Sequence, residues 1–136
     1  PTRRDKFPCS PLTHLITFIM ELLTSAQRER LISNYAAEDW AELPPVVKLF
    51  TPDAGATWLL TTLDPSDGDT LWGLCDLGLG FPELGTVSLS ELRELRGALG
   101  LPVERDLYVK LDRATREYAD LPAQHLRIIM PSGERV

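Results

Sequence analysis

The chain has 136 residues, 43% of them hydrophobic and 25% charged, and its formal net charge is −6. This length is typical of one globular domain that buries a core without needing a disulfide or a metal. The 20 acidic residues outnumber the 14 basic ones. This balance disfavours sequence-independent binding to nucleic acid or to an anionic membrane, because such binding depends on a basic surface.

The first apolar run, HLITFIM at residues 14–20, is far shorter than the ~20 residues that a membrane-spanning helix requires. We therefore expect no membrane segment. Met20 could serve as an initiator, which makes residues 1–19 an amino-terminal extension, 20–122 a single domain and 123–136 a carboxy-terminal tail. The alternative is that residues 14–20 form a strand or helix packed on the domain.

The segment TSAQRERLISNY predicts a helix that begins after Thr24. Thr24 and Gln27 have the spacing of a capping box, in which each side chain accepts a hydrogen bond from the other residue's backbone. Leu31 and Tyr35 can share the apolar face. The helix is expected to end before the proline pair at 44–45, because proline cannot continue it.

Three apolar runs follow, at residues 46–52, 57–65 and 69–77. The segments between them are only a few residues long and rich in Gly, Asp and Ser, so the runs are predicted to form an antiparallel meander. The runs are apolar on nearly both sides, which predicts a sheet covered at least in part on two faces.

The rest of the chain predicts a strand over 85–89, a helix starting at Ser88, a strand over 103–111 and a helix over 112–121. The apolar stripe of the first of these helices would consist of Leu89, Leu92, Leu95 and Leu99. The predicted fold class is therefore α+β, with a small, mostly antiparallel sheet of four to five strands packed with about three helices.

The glycine-rich segment GLCDLGLGFPELG, residues 73–85, raises the question of a phosphate-binding loop. Such a loop needs a following Lys with Ser or Thr, and no Lys lies in this segment. A dinucleotide-binding fingerprint would need a glycine where the chain has Glu83, and Pro82 removes one N–H donor. The segment is therefore predicted to be a structural turn whose glycines adopt positive φ.

The cysteines and histidines do not form a recognisable catalytic or metal-binding pattern. Cys9 and Cys75 are too far apart in sequence for a zinc motif, and Cys75 is predicted to be a small buried hydrophobe in a protein of the reducing cytoplasm. His14 and His125 lie near the two ends of the chain. We expect no cofactor and no metal.

Two acidic groups are weaker candidates for chemistry. Asp64, Asp67 and Asp69 could collect a hard cation, but their spacing differs from that of a calcium loop, so a solvated turn is predicted. Asp76 and Glu83 flank the glycine turn and could act as a general acid and base, with Trp58 and Trp72 as an aromatic wall.

Strand alternation in 69–77 predicts one core face formed by Leu71, Cys75 and Leu77, with Trp72, Leu74 and Asp76 on the other side. An aromatic side chain with a polar rim is typical of a protein-binding surface. Trp72 and Asp76, joined by Trp58 if it is exposed, are therefore the predicted binding residues. The alternative is that a helix covers this face and Trp72 belongs to the core.

The runs KLFTPDAGATWLL and GLCDLGLGFPELG resemble an uncharacterised bacterial family that is known only as a domain of unknown function. The resemblance begins near Met20 and implies a setting on conjugative plasmids and integrative elements. Thr62 and Thr86 depart from it, standing where an acidic and an aromatic residue are expected.

This setting leads to three hypotheses of function. The first is a non-enzymatic accessory protein of a mobile element that binds an unidentified protein and affects DNA transfer, replication or host defence. The second is a small enzyme using Asp76 and Glu83, and the third is a nucleic-acid-binding protein, which the charge disfavours. The oligomeric state stays open.

Overall fold

The computed structural model describes residues 21–121. Within this range three helices and five strands form a small α+β fold, as predicted. The helices are α1 (Ser25–Tyr35), α2 (Leu89–Glu94) and α3 (Thr115–Ala119), and a single turn of 3-10 helix spans Trp40–Glu42. The strands are β1 (Val47–Phe50), β2 (Thr57–Leu63), β3 (Thr70–Asp76), β4 (Glu83–Ser88) and β5 (Glu104–Arg105).

The five strands form one sheet in the order β4-β3-β2-β1-β5, and every neighbouring pair is antiparallel. The first four strands follow one another through short connections, which confirms the predicted meander. The connections after β1 and β3 lie at one end of the sheet, and the connection after β2 lies at the other end. This arrangement brings residues 51–56 and 77–82 to the same end.

Helix α1 starts where the capping box predicts. The Thr24 hydroxyl accepts a hydrogen bond from the Gln27 N–H, and the Gln27 side chain accepts one from the Thr24 N–H, each at 3.0 Å. Both donors would otherwise be unsatisfied at the helix start. Leu31, on the inner side of α1, is fully buried. The cap therefore fixes where α1 begins, and Leu31 fixes which side faces the sheet.

The larger core lies between α1 and one face of the sheet. Alternation along the strands places one set of apolar residues on this face, and Leu22 and Leu23 before α1, together with α2, complete its cover. Burial of this apolar surface is the main source of stability in a domain of this size. The buried residues contributed by the sheet are Val47, Leu49, Trp58, Leu60, Leu63 and Leu71.

The opposite face is covered by α3, whose Tyr118 packs against Leu59 and Leu74. A bulge in β2 shifts the register between Leu60 and Thr62. It leaves the Thr61 carbonyl free to accept a hydrogen bond from Asn34 Nδ2 of α1 at 2.9 Å. The bulge of β2 is therefore hydrogen-bonded to α1, which covers the face of the larger core.

The hydroxyl of Thr61 ties the same position to the second face. It lies 2.5 Å from the hydroxyl of Thr115, which itself donates to the Leu43 carbonyl at 2.7 Å. Because Thr115 uses its one hydroxyl hydrogen on Leu43, the hydrogen between the two threonines must come from Thr61. Arg116 adds an ion pair with Glu42 at the surface.

Three predicted elements are shorter than expected. The strand predicted over 103–111 is limited to Glu104–Arg105, because the Asp106 carboxylate accepts hydrogen bonds from the N–H groups of Tyr108 and Val109 and turns the chain. The helix predicted to carry Leu95 and Leu99 ends at Glu94, and both leucines are exposed. The last helix spans only Thr115–Ala119 of the predicted 112–121.

Asp106 also holds the chain beyond β5 against the sheet. Its carboxylate lies 3.5 Å from Lys48 Nζ, and both side chains are almost fully buried. Burial lowers the pKa of Lys48, while the Asp106 charge partly offsets this effect by raising it. The pair therefore fixes where the loop leaves β5, and removing one partner would leave the other as a costly buried charge.

The paired glycines Gly73 and Gly85 give a direct test of the sheet packing. A Cβ atom on Gly73 would lie 2.0 Å from the Leu59 carbonyl oxygen, whereas a Cβ on Gly85 would meet nothing within 4 Å. We expect Gly73→Ala to lower the free energy of unfolding by about 2 kcal/mol or more, because the backbone must shift. Gly85→Ala, the control, should change it by less than about 0.5 kcal/mol. Equal effects in urea unfolding would contradict this packing.

Candidate functional site

The two candidate tryptophans of the sheet lie on opposite faces. Trp58 is only 3% exposed and belongs to the larger core. It was a predicted binding residue only if exposed, and this condition is not met. Trp72 is half-buried and packs against Trp40, with ring centroids 5.6 Å apart. Trp40 in turn lies 4.9 Å from the Tyr35 ring. The Trp72 side chain is therefore partly covered by an aromatic neighbour from the 3-10 turn.

The glycine-rich segment is a turn, as predicted. It connects β3 to β4 through residues 77–82, and Gly78 and Gly80 have φ values of 83° and 91°. Such values are accessible to glycine and costly for other residues. Leu77 was predicted to share the core face with Leu71 and Cys75, but this is wrong. β3 ends at Asp76, and the chain turns so that the Leu77 side chain is 60% exposed.

Asp76 lies beneath this turn and is fully buried. Its Oδ1 accepts a hydrogen bond from the Gly78 N–H at 2.9 Å, which fixes the start of the turn. Its Oδ2 is buried without a hydrogen-bond partner. The carboxylate therefore supports the turn from inside and is closed to solvent.

Glu83 is exposed on β4 opposite Cys75, whereas Asp76 lies opposite Thr57 on the other neighbouring strand. Because side chains alternate between the faces of a sheet, Glu83 lies on the face of Cys75 and Asp76 on the opposite one. The fold thus separates the two carboxylates proposed to work together. Burial raises the pKa of the Cys75 thiol, and the Glu83 charge adds to the effect.

The outer side of the turn is apolar. Leu79 is 74% exposed and Phe81 is 78% exposed, and with Leu77 they place three large apolar side chains on six residues. Turn segments are usually polar, and large apolar side chains exposed together commonly mark an interaction site. We call residues 77–82 the apolar loop.

The 51–56 hairpin supports the apolar loop from the side, and a third loop is bound to that hairpin. Gly78 packs closely on residues 51–56, since a Cβ there would lie 3.0 Å from the Gly55 carbonyl oxygen. In the same hairpin, Asp53 Oδ2 accepts hydrogen bonds from the N–H groups of Leu99 and Leu101 at 2.7 and 3.1 Å. Leu99 is 81% exposed. One end of the sheet therefore carries exposed apolar side chains on both sides of the 51–56 hairpin. The apolar loop lies on one side and Leu99 on the other.

Sequence reasoning recognised the turn and missed the side chains that it displays. The signal was the alternation Leu-Gly-Leu-Gly-Phe at residues 77–81. The glycines of this segment meet a backbone requirement for positive φ, whereas the apolar residues between them form the exposed surface.

The three aspartates at the other end of the sheet form a hydrogen-bonded turn. Asp64 accepts from Ser66, Asp67 accepts from Thr70, and Asp69 accepts from Ser88 and Ser90. Their oxygens are directed to separate donors in the turn and at the start of α2. In residues 21–121 no group of three His, Cys, Asp or Glu side chains is placed to hold a metal ion.

A separate open groove of about 370 Å³ lies beside β5. It does not include Asp76, Glu83 or the apolar loop, because its lining residues are Glu21, Leu22, Pro102, Val103, Glu104, Arg105 and Leu107. Across the part of the chain that the structure describes, the helices are too short or too polar to cross a bilayer.

The hydrogen bonds of Asp69 predict a loss of stability in acid. The Ser88 hydroxyl, and then the Ser90 N–H, lower the pKa of Asp69 below its ordinary value of 3.8. The stabilisation is therefore complete above that value and is lost as the pH falls through the lowered pKa. Asp69→Asn should be less stable than the parent chain near neutral pH, and the difference should shrink below about pH 4. A difference that stays constant with pH in urea unfolding would contradict this role.

Gly78→Ala and Gly80→Ala test how the apolar loop is held. Both glycines have positive φ, but Gly80 has open space around it while Gly78 faces the Gly55 carbonyl. We expect Gly80→Ala to lower the free energy of unfolding by about 1 kcal/mol through backbone strain. Gly78→Ala should cost about 2 kcal/mol, because the added methyl also displaces the hairpin. The opposite order would show that the hairpin does not support the loop.

The chain was compared with known protein families, curated proteins and solved structures. The family model described as "Protein of unknown function (DUF2958)" matches residues 22–129. No curated protein and no solved structure matches the chain. The family match covers most of the 136 residues and includes α1, all five strands and α3. The chain therefore belongs to the DUF2958 family of proteins of unknown function.

Proposed function

We propose that this protein is a non-enzymatic accessory protein of a mobile genetic element and that it acts by binding another protein through the apolar loop. The observation that carries the proposal is the exposure of Leu79 and Phe81, at 74% and 78%, on a turn between paired strands. Large apolar and aromatic side chains in the centre of an interface commonly supply most of the binding energy. Leu99, on the far side of the 51–56 hairpin, would extend the contact.

The way the apolar loop is held supports this proposal. The Asp76 carboxylate binds the Gly78 N–H from below, and the Gly55 backbone contacts Gly78 from the side. A loop that is already ordered loses little conformational freedom when a partner binds. These contacts hold the loop at Gly78, which reduces the conformational freedom that Leu79 and Phe81 would lose on binding.

The genetic setting rests on the resemblance to domains found on conjugative plasmids and integrative elements. Accessory proteins of such elements act in DNA transfer, in replication or against host defence, and each of these roles is compatible with protein binding. We propose this group of roles as the setting in which the partner is to be sought.

The acid–base alternative has less support. A general acid or base must reach its substrate within hydrogen-bond distance, and the Asp76 carboxylate is fully buried. Glu83 lies on the other face of the sheet. The nucleic-acid alternative lacks a basic footprint, since the net charge is −6. The exposed surface at the apolar loop favours a protein partner.

The double substitution Leu79→Ser and Phe81→Ser tests the proposal. The tagged full chain and this variant are expressed in cells carrying the element, and the copurified proteins are compared. We expect a partner retained by the parent chain to be reduced at least about 30-fold by the variant, as for the loss of an interface anchor. The melting temperature should stay close to that of the parent, because both side chains are exposed.

Leu107→Ser and Tyr108→Ser provide the matched control. These side chains are 65% and 66% exposed, and they follow β5, which runs away from the end of the sheet that holds the apolar loop. The control should retain the partner. If both double variants retain it equally, binding does not use the apolar loop.

A further inference from the structure

The two outer strands of the sheet differ in how their edges are protected. β5 has two residues, Glu104 and Arg105, and both are charged. β4 has six residues, and Leu84 to Ser88 carry no charge. Natural edge strands are usually kept short, charged or covered, because their unpaired N–H and C=O groups can pair with another chain. β4 has the properties of an edge that accepts a strand.

The outer edge of β4 has no strand partner in the part of the chain that the structure describes, where β4 pairs only with β3. Leu84 and Thr86 are exposed, and a Cβ on Gly85 would meet nothing within 4 Å, so the middle of β4 is also uncovered on its faces. A glycine inside a strand weakens it and often marks a close approach by a ligand or another backbone.

The chain segment that contains β4 carries charge of one sign. Residues 49–92 contain seven acidic residues and no Lys, Arg or His. Glu83 is exposed at the start of β4, and the Asp69 carboxylate is bound to Ser88 at its end. Glu91 is exposed one helical turn further on. Carboxylates therefore lie at both ends of the uncharged stretch from Leu84 to Ser88.

We propose that the outer edge of β4 binds an extended segment of the partner protein as an additional strand, and that this segment carries basic residues at both ends of an uncharged, β-branched stretch. The inference rests on the proposed protein-binding function and names the chemistry of the partner. Main-chain hydrogen bonds would supply affinity, and the carboxylates would select the basic residues.

The dimensions of β4 set the spacing of those basic residues. Glu83 and Ser88 are five residues apart, which corresponds to about 17 Å along a strand. A bound strand has the same rise, so its basic residues should also be about five positions apart. Phe81 lies two residues before β4. One partner can therefore occupy both the apolar loop and the edge.

The probe is an acetylated and amidated hexapeptide, Lys-Val-Thr-Val-Thr-Lys, titrated into the ¹⁵N-labelled full chain. We expect the chemical-shift changes to concentrate at the amides of residues 83–88. Replacing both peptide lysines by glutamate should weaken binding at least about tenfold, and added salt should weaken the binding of the parent peptide. Equal binding of the acidic peptide, or shifts centred elsewhere, would overturn the inference.

Backbone methylation distinguishes strand addition from simple charge attraction. N-methylation of both valines blocks one edge of the peptide, and N-methylation of both threonines blocks the other, because alternate N–H groups point in opposite directions. One methylated isomer should lose binding at least about tenfold while the other retains it. Retention by both isomers would overturn the inference.

Two variants of the chain complete the test. Glu83→Lys should weaken peptide binding several-fold, whereas Glu104→Lys, the same change on the opposite edge strand, should leave it unchanged. If the free chain forms dimers and Glu83→Lys disrupts them, the edge of β4 binds a second copy of the chain. Slow exchange in the free monomer of those amides of 84–87 that point away from β3 would show that another part of the chain already pairs with this edge. Either result would overturn the proposal.

The outcomes separate this inference from the proposed function. If the Leu79→Ser and Phe81→Ser variant loses the cellular partner but the peptide does not bind, only the edge proposal fails. If the peptide binds as expected but neither double variant changes partner recovery, binding through the apolar loop fails and the edge remains supported.

Discussion

The rest of the structure depends on the complete burial of β2. All seven of its residues are buried, so the sheet must be covered on both faces. The bulge at Thr61 connects the two layers, since its carbonyl accepts from Asn34 of α1 and its hydroxyl contacts Thr115 of α3. An unsatisfied polar group at this position would cost about 1–3 kcal/mol. The two helices are thereby held at fixed positions on the sheet. Within the sheet, β3 packs closely on β2 at Gly73.

A sheet held in this way places its loops with little freedom. The antiparallel meander brings the 51–56 hairpin and the apolar loop to one end, and Asp53 fixes the chain around Leu99 beside them. Hydrogen bonds accepted by the Asp53 and Asp76 carboxylates hold the backbone, while large apolar side chains are exposed. This reverses the usual arrangement of a turn, in which polar side chains face solvent. It is the physical basis for assigning binding to this end.

Local signals predicted most of the fold. The capping box at Thr24, the short turns between apolar runs and the positive φ of the glycine segment each depend on neighbouring residues, and the structure confirms them. One prediction that was wrong, the strand beyond Arg105, depended in part on a contact distant in sequence. The alternation after Val103 is typical of a strand, but Asp106 binds Lys48 and turns the chain.

The candidate site was harder to predict, because it depends on which side chains the sheet buries. Trp72 was a predicted binding residue and Trp58 a conditional one. The structure places Trp58 in the larger core and Trp72 on the other face, beside Trp40. Hydrogen exchange of the free chain and of the copurified complex tests the assigned surface most directly. The account predicts slower exchange at residues 77–84 in the complex, with little change at 64–69. Slower exchange confined to Trp40 and Trp72, or to the groove beside β5, would contradict it.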